Sequence, residues 1–200
     1  MPTNKKRCAW CGDDELYQAY HDQEWGVPTF DEQELFERLI LEGMQAGLAW
    51  ITVLRKRDHM RDAFFQFDIE KLARAREATI KRWLANEGII RHRGKLEAMI
   101  GNAQLVRDMD NFPAFIWQFQ PENDRIYKSL RQVPSETKES QAMSKALKKQ
   151  GFRFVGPTIC YAFMQSVGMV NDHVQDCWRL KACARAVAKA RKTRPMVTNQ

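Results

Sequence analysis

The sequence predicts an all-α protein. Three observations carry that class: apolar residues recur at helical spacing along most of the chain, no stretch alternates with period two between hairpin turns, and the connectors marked by glycine or proline are short. The expected helices cover residues 14–23, 32–42, 45–58, 69–74, 78–86, 92–109, 112–118, 139–149, 157–168 and 172–190.

Gly26-Val27-Pro28 separates the first helix from the second. Asp31 is the N-cap expected for the second, with Glu34 three residues on completing a capping box. Leu35, Leu39, Glu42, Ala46 and Ala49 then fall on one stripe, and only Glu42 is polar. An unpartnered carboxylate on a buried face is costly, so Glu42 calls for a partner, and that partner is expected outside the protein. Gly43 and Gly47 make an uninterrupted helix doubtful there. Asn86-Glu87-Gly88 marks the next turn, and residues 118–139 read as a polar connection. In "SKALKKQGFRFVGPTIC" a basic amphipathic helix ends, a Gly-x4-Gly turn follows, and Pro157 opens another helix, as proline favours. "NDHVQDC" places His173 and Cys177 four residues apart, on one helical face. Residues 184–200 read as a basic, solvated tail after a single domain spanning 1–183.

Composition narrows the class. Hydrophobic residues at 44% and charged residues at 28% suit a globular chain of 200 residues with one core, or two lobes sharing a cleft. No apolar run reaches the roughly 18–20 residues that span a bilayer, and the basic start lacks an apolar segment, so a cytoplasmic protein without membrane contact is expected. A net charge of +7 favours a polyanionic partner, nucleic acid first among them. Five cysteines in such a chain point to metal binding or burial rather than disulfides.

Three constellations carry chemistry. Cys8, Cys11 and His21 near one end and His173 and Cys177 near the other offer thiolate and imidazole donors for a structural zinc. Cys8 and Cys11 compete for one place in the set. The glycine-bounded turn at 151–156, with Lys148 and Lys149 beside it, suits a phosphate at a helix start; a second basic turn carries Arg91, Arg93 and Lys95. Residues 10–50 concentrate Trp10, Tyr17, Tyr20, Trp25, Phe30, Phe36 and Trp50, whose faces suit core packing or a nucleobase.

Together "RCAW", "YHDQEWGVP", "LEGMQAGLAWITVL", "GIIRHRGK", "ALKKQGFRFVGPTICYAFMQ" and "VNDHVQDC" resemble the 3-methyladenine DNA glycosylase I family of the helix-hairpin-helix superfamily, over about residues 7–177. The resemblance implies a helix-hairpin-helix glycosylase fold, two helical lobes flanking a base-binding cleft. It implies zinc ligands Cys8, His21, His173 and Cys177, against Cys11. It makes Glu42 the base-recognition carboxylate, with Trp10, Tyr17, Tyr20, Trp25 and Trp50 as pocket rings. Lys149, Gly151, Phe154, Gly156 and Thr158 become its DNA-contact residues. Thr158 stands where bifunctional members of the superfamily carry a Schiff-base lysine, so lyase activity is not expected. Asp172 is given a structural role, and Met44, Gln45 and Leu48 are candidates to plug the gap in the duplex. The implied partners are double-stranded DNA with alkylated bases and free 3-methyladenine as product; a monomer is expected because nothing in the sequence suggests a partner helix. The rival readings are a zinc-clasped DNA-binding module without catalysis and a zinc hydrolase of small molecules.

Overall fold

The computed structural model describes residues 5–123 and 125–196, and among them every regular element is helical. Ten α-helices follow in order: α1 (Glu15–Gln23), α2 (Glu32–Gln45), α3 (Trp50–Ala63), α4 (Ile69–Ala73), α5 (Glu77–Leu84), α6 (Arg93–Arg107), α7 (Phe112–Trp117), α8 (Lys138–Lys149), α9 (Pro157–Ser166) and α10 (Leu180–Thr193). Single 3-10 turns lie at Ala9–Cys11, Phe65–Phe67 and Leu130–Gln132. Short polar side chains start many of the helices: Asp14, Asp31, Asp68 and Asn111 each accept the backbone N–H three residues on. Only half of the capping box expected at Asp31 forms. Its carboxylate accepts from the Glu34 N–H at 2.8 Å, but the Glu34 side chain turns instead to the Thr29 hydroxyl and Arg38.

Helix α2 runs through the core and packs on α3, α6, α7 and α9. Leu35, Phe36, Leu39 and Met44 are buried on it, against Leu96 and Met99 of α6 and Phe163 and Met164 of α9. The stripe expected to continue through Ala46 and Ala49 stops at Gln45, and both alanines are exposed. The break comes where Gly47 takes φ +81, so α3 starts at Trp50 rather than near 45. Glu42 therefore sits one turn before a helix end.

The C-terminal third departs further from the expected pattern. His173 and Cys177 lie in irregular backbone, not on a helix, and α10 begins only at Leu180. The 171–179 segment is held by backbone bonds, Gln175 N to Tyr127 O at 2.8 Å and Trp178 N to Lys6 O at 2.9 Å, and by Asn171 Nδ2 donating to Leu180 O at 2.9 Å. The basic stretch from 184 is the greater part of α10, through Thr193, and it buries Val187 and Ala190. Alanines and one valine at helical spacing give it an apolar stripe that its charge obscures. The loop at Gly26–Pro28 docks on the end of α9. A Cβ on Gly168 would lie 2.4 Å from Pro28 N, so only glycine allows that approach. No described helix is long and apolar enough to cross a membrane.

Candidate active site

Trp10, Tyr17, Tyr20, Trp25, Trp50 and Glu42, scattered over forty positions, line one cavity of about 390 Å³. Helix α1 supplies the tyrosines, α2 supplies Glu42 and Gln45, and the first residue of α3 supplies Trp50. The opposite wall comes from Leu130, Val133 and Pro134 and from Ala162, Gln165 and Asp172. The connection read from sequence as merely polar thus contributes an apolar wall. Leu130 and Val133, spaced three apart, were the available signal.

The rings brace one another. Tyr20 and Trp50 have centroids 5.4 Å apart, Trp10 and Tyr17 4.9 Å, and Trp10 and Trp25 5.0 Å in edge contact. Glu42 is 4% exposed, and no lysine or arginine forms an ion pair with it among the described residues. Burial pushes its carboxyl up to about 8, against the opposing influence of the nearby Ser166 side chain and the charge of Arg38. The Ser166 hydroxyl, at the end of α9, donates to Phe163 O at 2.9 Å. Arg38 cannot neutralise Glu42 directly, since its guanidinium is committed to Glu34 and to Ser166 O at 2.6 Å. With the cavity free of a cation, Glu42 is mainly protonated at neutral pH; a cation beside it would favour the carboxylate.

Behind the rings, Cys8, His21, His173 and Cys177 converge, with all four donor atoms within 4.8 Å of one another and all four residues buried. Cys177 Sγ lies 3.4 Å from His21 Nε2 and 3.3 Å from His173 Nδ1, and Cys8 Sγ lies 3.7 Å from His173 Nδ1. Tetrahedral bonds of about 2.0–2.3 Å separate such donors by about 3.4–3.8 Å, so this set matches one small soft cation. The outward nitrogens have acceptors: His21 Nδ1 faces Asp22 at 2.8 Å and His173 Nε2 faces the Trp25 carbonyl at 3.3 Å. The neighbouring Cys8 thiol, His173 and His21 push Cys177 down, while Cys177 and burial push Cys8 up. Cys11 stands outside the set and donates its thiol to Cys8 O at 3.1 Å.

Asp22 was missed in the sequence, although it adjoins His21. It accepts from Arg7 at 2.8 Å, from His21, and from Trp178 at 3.1 Å, tying both ends of the chain to the cluster. Trp25 packs edge-on against His173 at 4.6 Å, so the cluster supports the back of the cavity. Asp172 accepts from the Tyr161 hydroxyl at 2.5 Å and from Gln165 at 2.7 Å; it separates this cavity from a second one of about 310 Å³.

Lys149, Gly151, Phe154, Gly156 and Thr158 do not join the cavity; they form the turn from α8 into α9. Lys148, Lys149, Arg153 and Thr158 are exposed, and no side chain caps the start of α9 at Gly156. That helix start, with free N–H groups and lysines nearby, suits an anion. The second basic turn differs from expectation. Arg93 pairs with Glu77 at 3.0 Å, and Lys95 is buried. Of the three plug candidates, Met44 is buried, Gln45 lines the cavity and Leu48 is 40% exposed.

Residues 10–180 match the family model of methyladenine glycosylases. The DNA-3-methyladenine glycosylase 1 of Escherichia coli (strain K12) is 51% identical over 178 residues, which is 86% of this chain and 95% of the relative. A crystal structure of a 3-methyladenine DNA glycosylase I superposes with a TM-score of 0.84 at 50% identity, covering 86% of this chain and 98% of that one. A second, crystallised in complex with 3-methyladenine, superposes with a TM-score of 0.81 at 32% identity, covering 87% and 97%. On this match in sequence and fold, the chain belongs to the methyladenine glycosylase family.

Proposed function

We propose that the protein is a monofunctional DNA glycosylase that extrudes 3-methyladenine from alkylated duplex DNA and hydrolyses its N-glycosidic bond, leaving an abasic site without cutting the strand. The observation that carries this reading is the buried Glu42 in a ring-lined cavity of about 390 Å³, a volume suited to one purine. Family membership and the relative bound to 3-methyladenine support the choice of base.

The reading assigns roles to the residues as follows. The turn at 151–156, with Lys149, Phe154, Thr158 and the free amides of α9, holds the phosphate backbone. Extrusion costs a few kcal/mol and less at a damaged base, and Leu48 fills the gap left behind. The flipped base stacks on Tyr20 and Trp50, with Trp10, Tyr17 and Trp25 closing the walls. Glu42 accepts a hydrogen bond from the exocyclic amine and offsets the positive charge of the alkylated ring. Unmodified adenine lacks that charge and gains less from the same carboxylate. The cationic base is already a good leaving group, so water attacks the anomeric carbon with little acid catalysis.

Cys8, His21, His173 and Cys177 hold one structural zinc ion, which ties the chain ends together and leaves no open coordination position. The cavity is the cleft between two helical lobes of a single domain, and that domain includes α10 rather than ending at 183. No lysine stands at Thr158, so no Schiff base forms and lyase activity is lacking. A methylated duplex tests the reading: release of free 3-methyladenine with alkali-labile but unbroken sites supports it, and binding without base release overturns it.

A further inference from the structure

Lys95 is a buried lysine with no carboxylate partner among the described residues. It is 7% exposed, and its Nζ donates to Met44 O at 2.8 Å and Ala46 O at 2.7 Å. Those are end carbonyls of α2, which otherwise lack intrahelical donors, so the ammonium caps the helix just where the turn carrying Leu48 begins. Seven residues on, Asn102 is 3% exposed and grips the other DNA-facing segment. Its Nδ2 donates to Arg153 O at 3.0 Å, and its Oδ1 accepts from Arg153 N at 3.0 Å.

Seven residues are two helical turns, so Lys95 and Asn102 lie on one face of α6, about 10 Å apart along its axis. Between the two clamps the segments they hold touch each other: a Cβ on Gly43 of α2 would sit 3.3 Å from Phe154 Cβ. Phe154 has φ +57, a conformation that is strained for a non-glycine residue and persists only when neighbours fix it. His92, which caps α6, packs edge-on against that ring at 6.1 Å.

We propose that Lys95 and Asn102 are positioning residues, and that α6 is the strut setting the distance between the phosphate-binding turn and the Leu48 turn. This rests on the roles given above to those turns. The phosphate-binding turn fixes where the backbone lies, and the strut then fixes where Leu48 enters the stack. An error of about 1 Å in such a placement lowers rate by up to about a hundredfold without touching the chemistry. Neither side chain lines the cavity, so free base binding does not depend on them.

The test compares wild type, Lys95→Met, Asn102→Ala and the double variant. Three readouts are taken: quenching of tryptophan fluorescence by free 3-methyladenine, single-turnover excision from a methylated duplex, and 2-aminopurine fluorescence beside an abasic-site analogue to report local unstacking. Each single variant is expected to keep its free-base affinity within about twofold while excision and unstacking fall by about tenfold or more. The double variant is expected to fall little further, because releasing either clamp already frees the one distance. Free-base affinity falling in parallel, losses that multiply, or unchanged unstacking would each overturn the proposal. If Lys95→Met does not fold, Asn102→Ala alone decides by the same split. Failure of the wild type to bind 3-methyladenine or excise it would instead refute the functional reading.

Discussion

Replacing Glu42 with glutamine keeps the shape of the side chain and removes its titration. The folded carboxyl is pushed up to about 8, chiefly by burial, against an ordinary value of 4.5. Between those values the unfolded chain has released a proton that the native chain keeps, so wild-type stability falls as pH rises from 4.5 to 8. Each pH unit is worth about 1.4 kcal/mol, and neutrality lies about two and a half units above 4.5. Glu42→Gln is therefore more stable than wild type by up to about 3 kcal/mol at pH 7, and about equal to it at pH 4. Urea unfolding of both proteins at pH 4, 5, 6, 7 and 8 measures the gap directly. On the proposed function, excision of 3-methyladenine by the same variant falls by about a hundredfold, because the carboxylate proposed to complement the cationic base is gone. A gap that does not widen with pH would refute the claim that burial holds Glu42 protonated. Normal excision would remove Glu42 from base recognition.

The remaining predictions concern the supports of the site. Cys177→Ser lowers stability by about 3 kcal/mol and abolishes stoichiometric zinc in the purified protein, with activity lost only through unfolding; a well-folded, inactive variant would move the metal into the chemistry. Leu48→Gly leaves free 3-methyladenine binding unchanged and slows excision from duplex by about tenfold, and equal rates on duplex would dismiss it as the plug. Replacing Lys148 and Lys149 with alanine weakens duplex binding evenly across sequences and reduces the slope of log K against log salt by about two. An unchanged slope would take these lysines off the phosphate backbone.

Much of this was readable in the sequence because periodicity reports burial. The stripe of α2 as far as Glu42, the proline start of α9 and the ring-rich first quarter each correspond to observed features. What sequence could not resolve depends on partners far along the chain. Cys8 and Cys11 are equivalent donors in "CAWC"; only the folded backbone turns Cys11 toward Cys8 O and Cys8 toward His173. Arg93 and Lys95 read as a basic patch, yet Glu77 takes one and the carbonyls ending α2 take the other. The late start of α10 was hidden too, because an i, i+4 His–Cys pair suggests a helix. Backbone bonds to Tyr127 and Lys6 hold it in an irregular loop instead.

One measurement bears most directly on the function. The purified protein is incubated with a duplex carrying a single 3-methyladenine and with the same duplex carrying adenine, and free base and strand integrity are followed together. The account predicts release of 3-methyladenine, alkali-labile but unbroken strands, and no release of adenine on the same timescale. Duplex binding without base release, or strand cleavage before alkali, would contradict it.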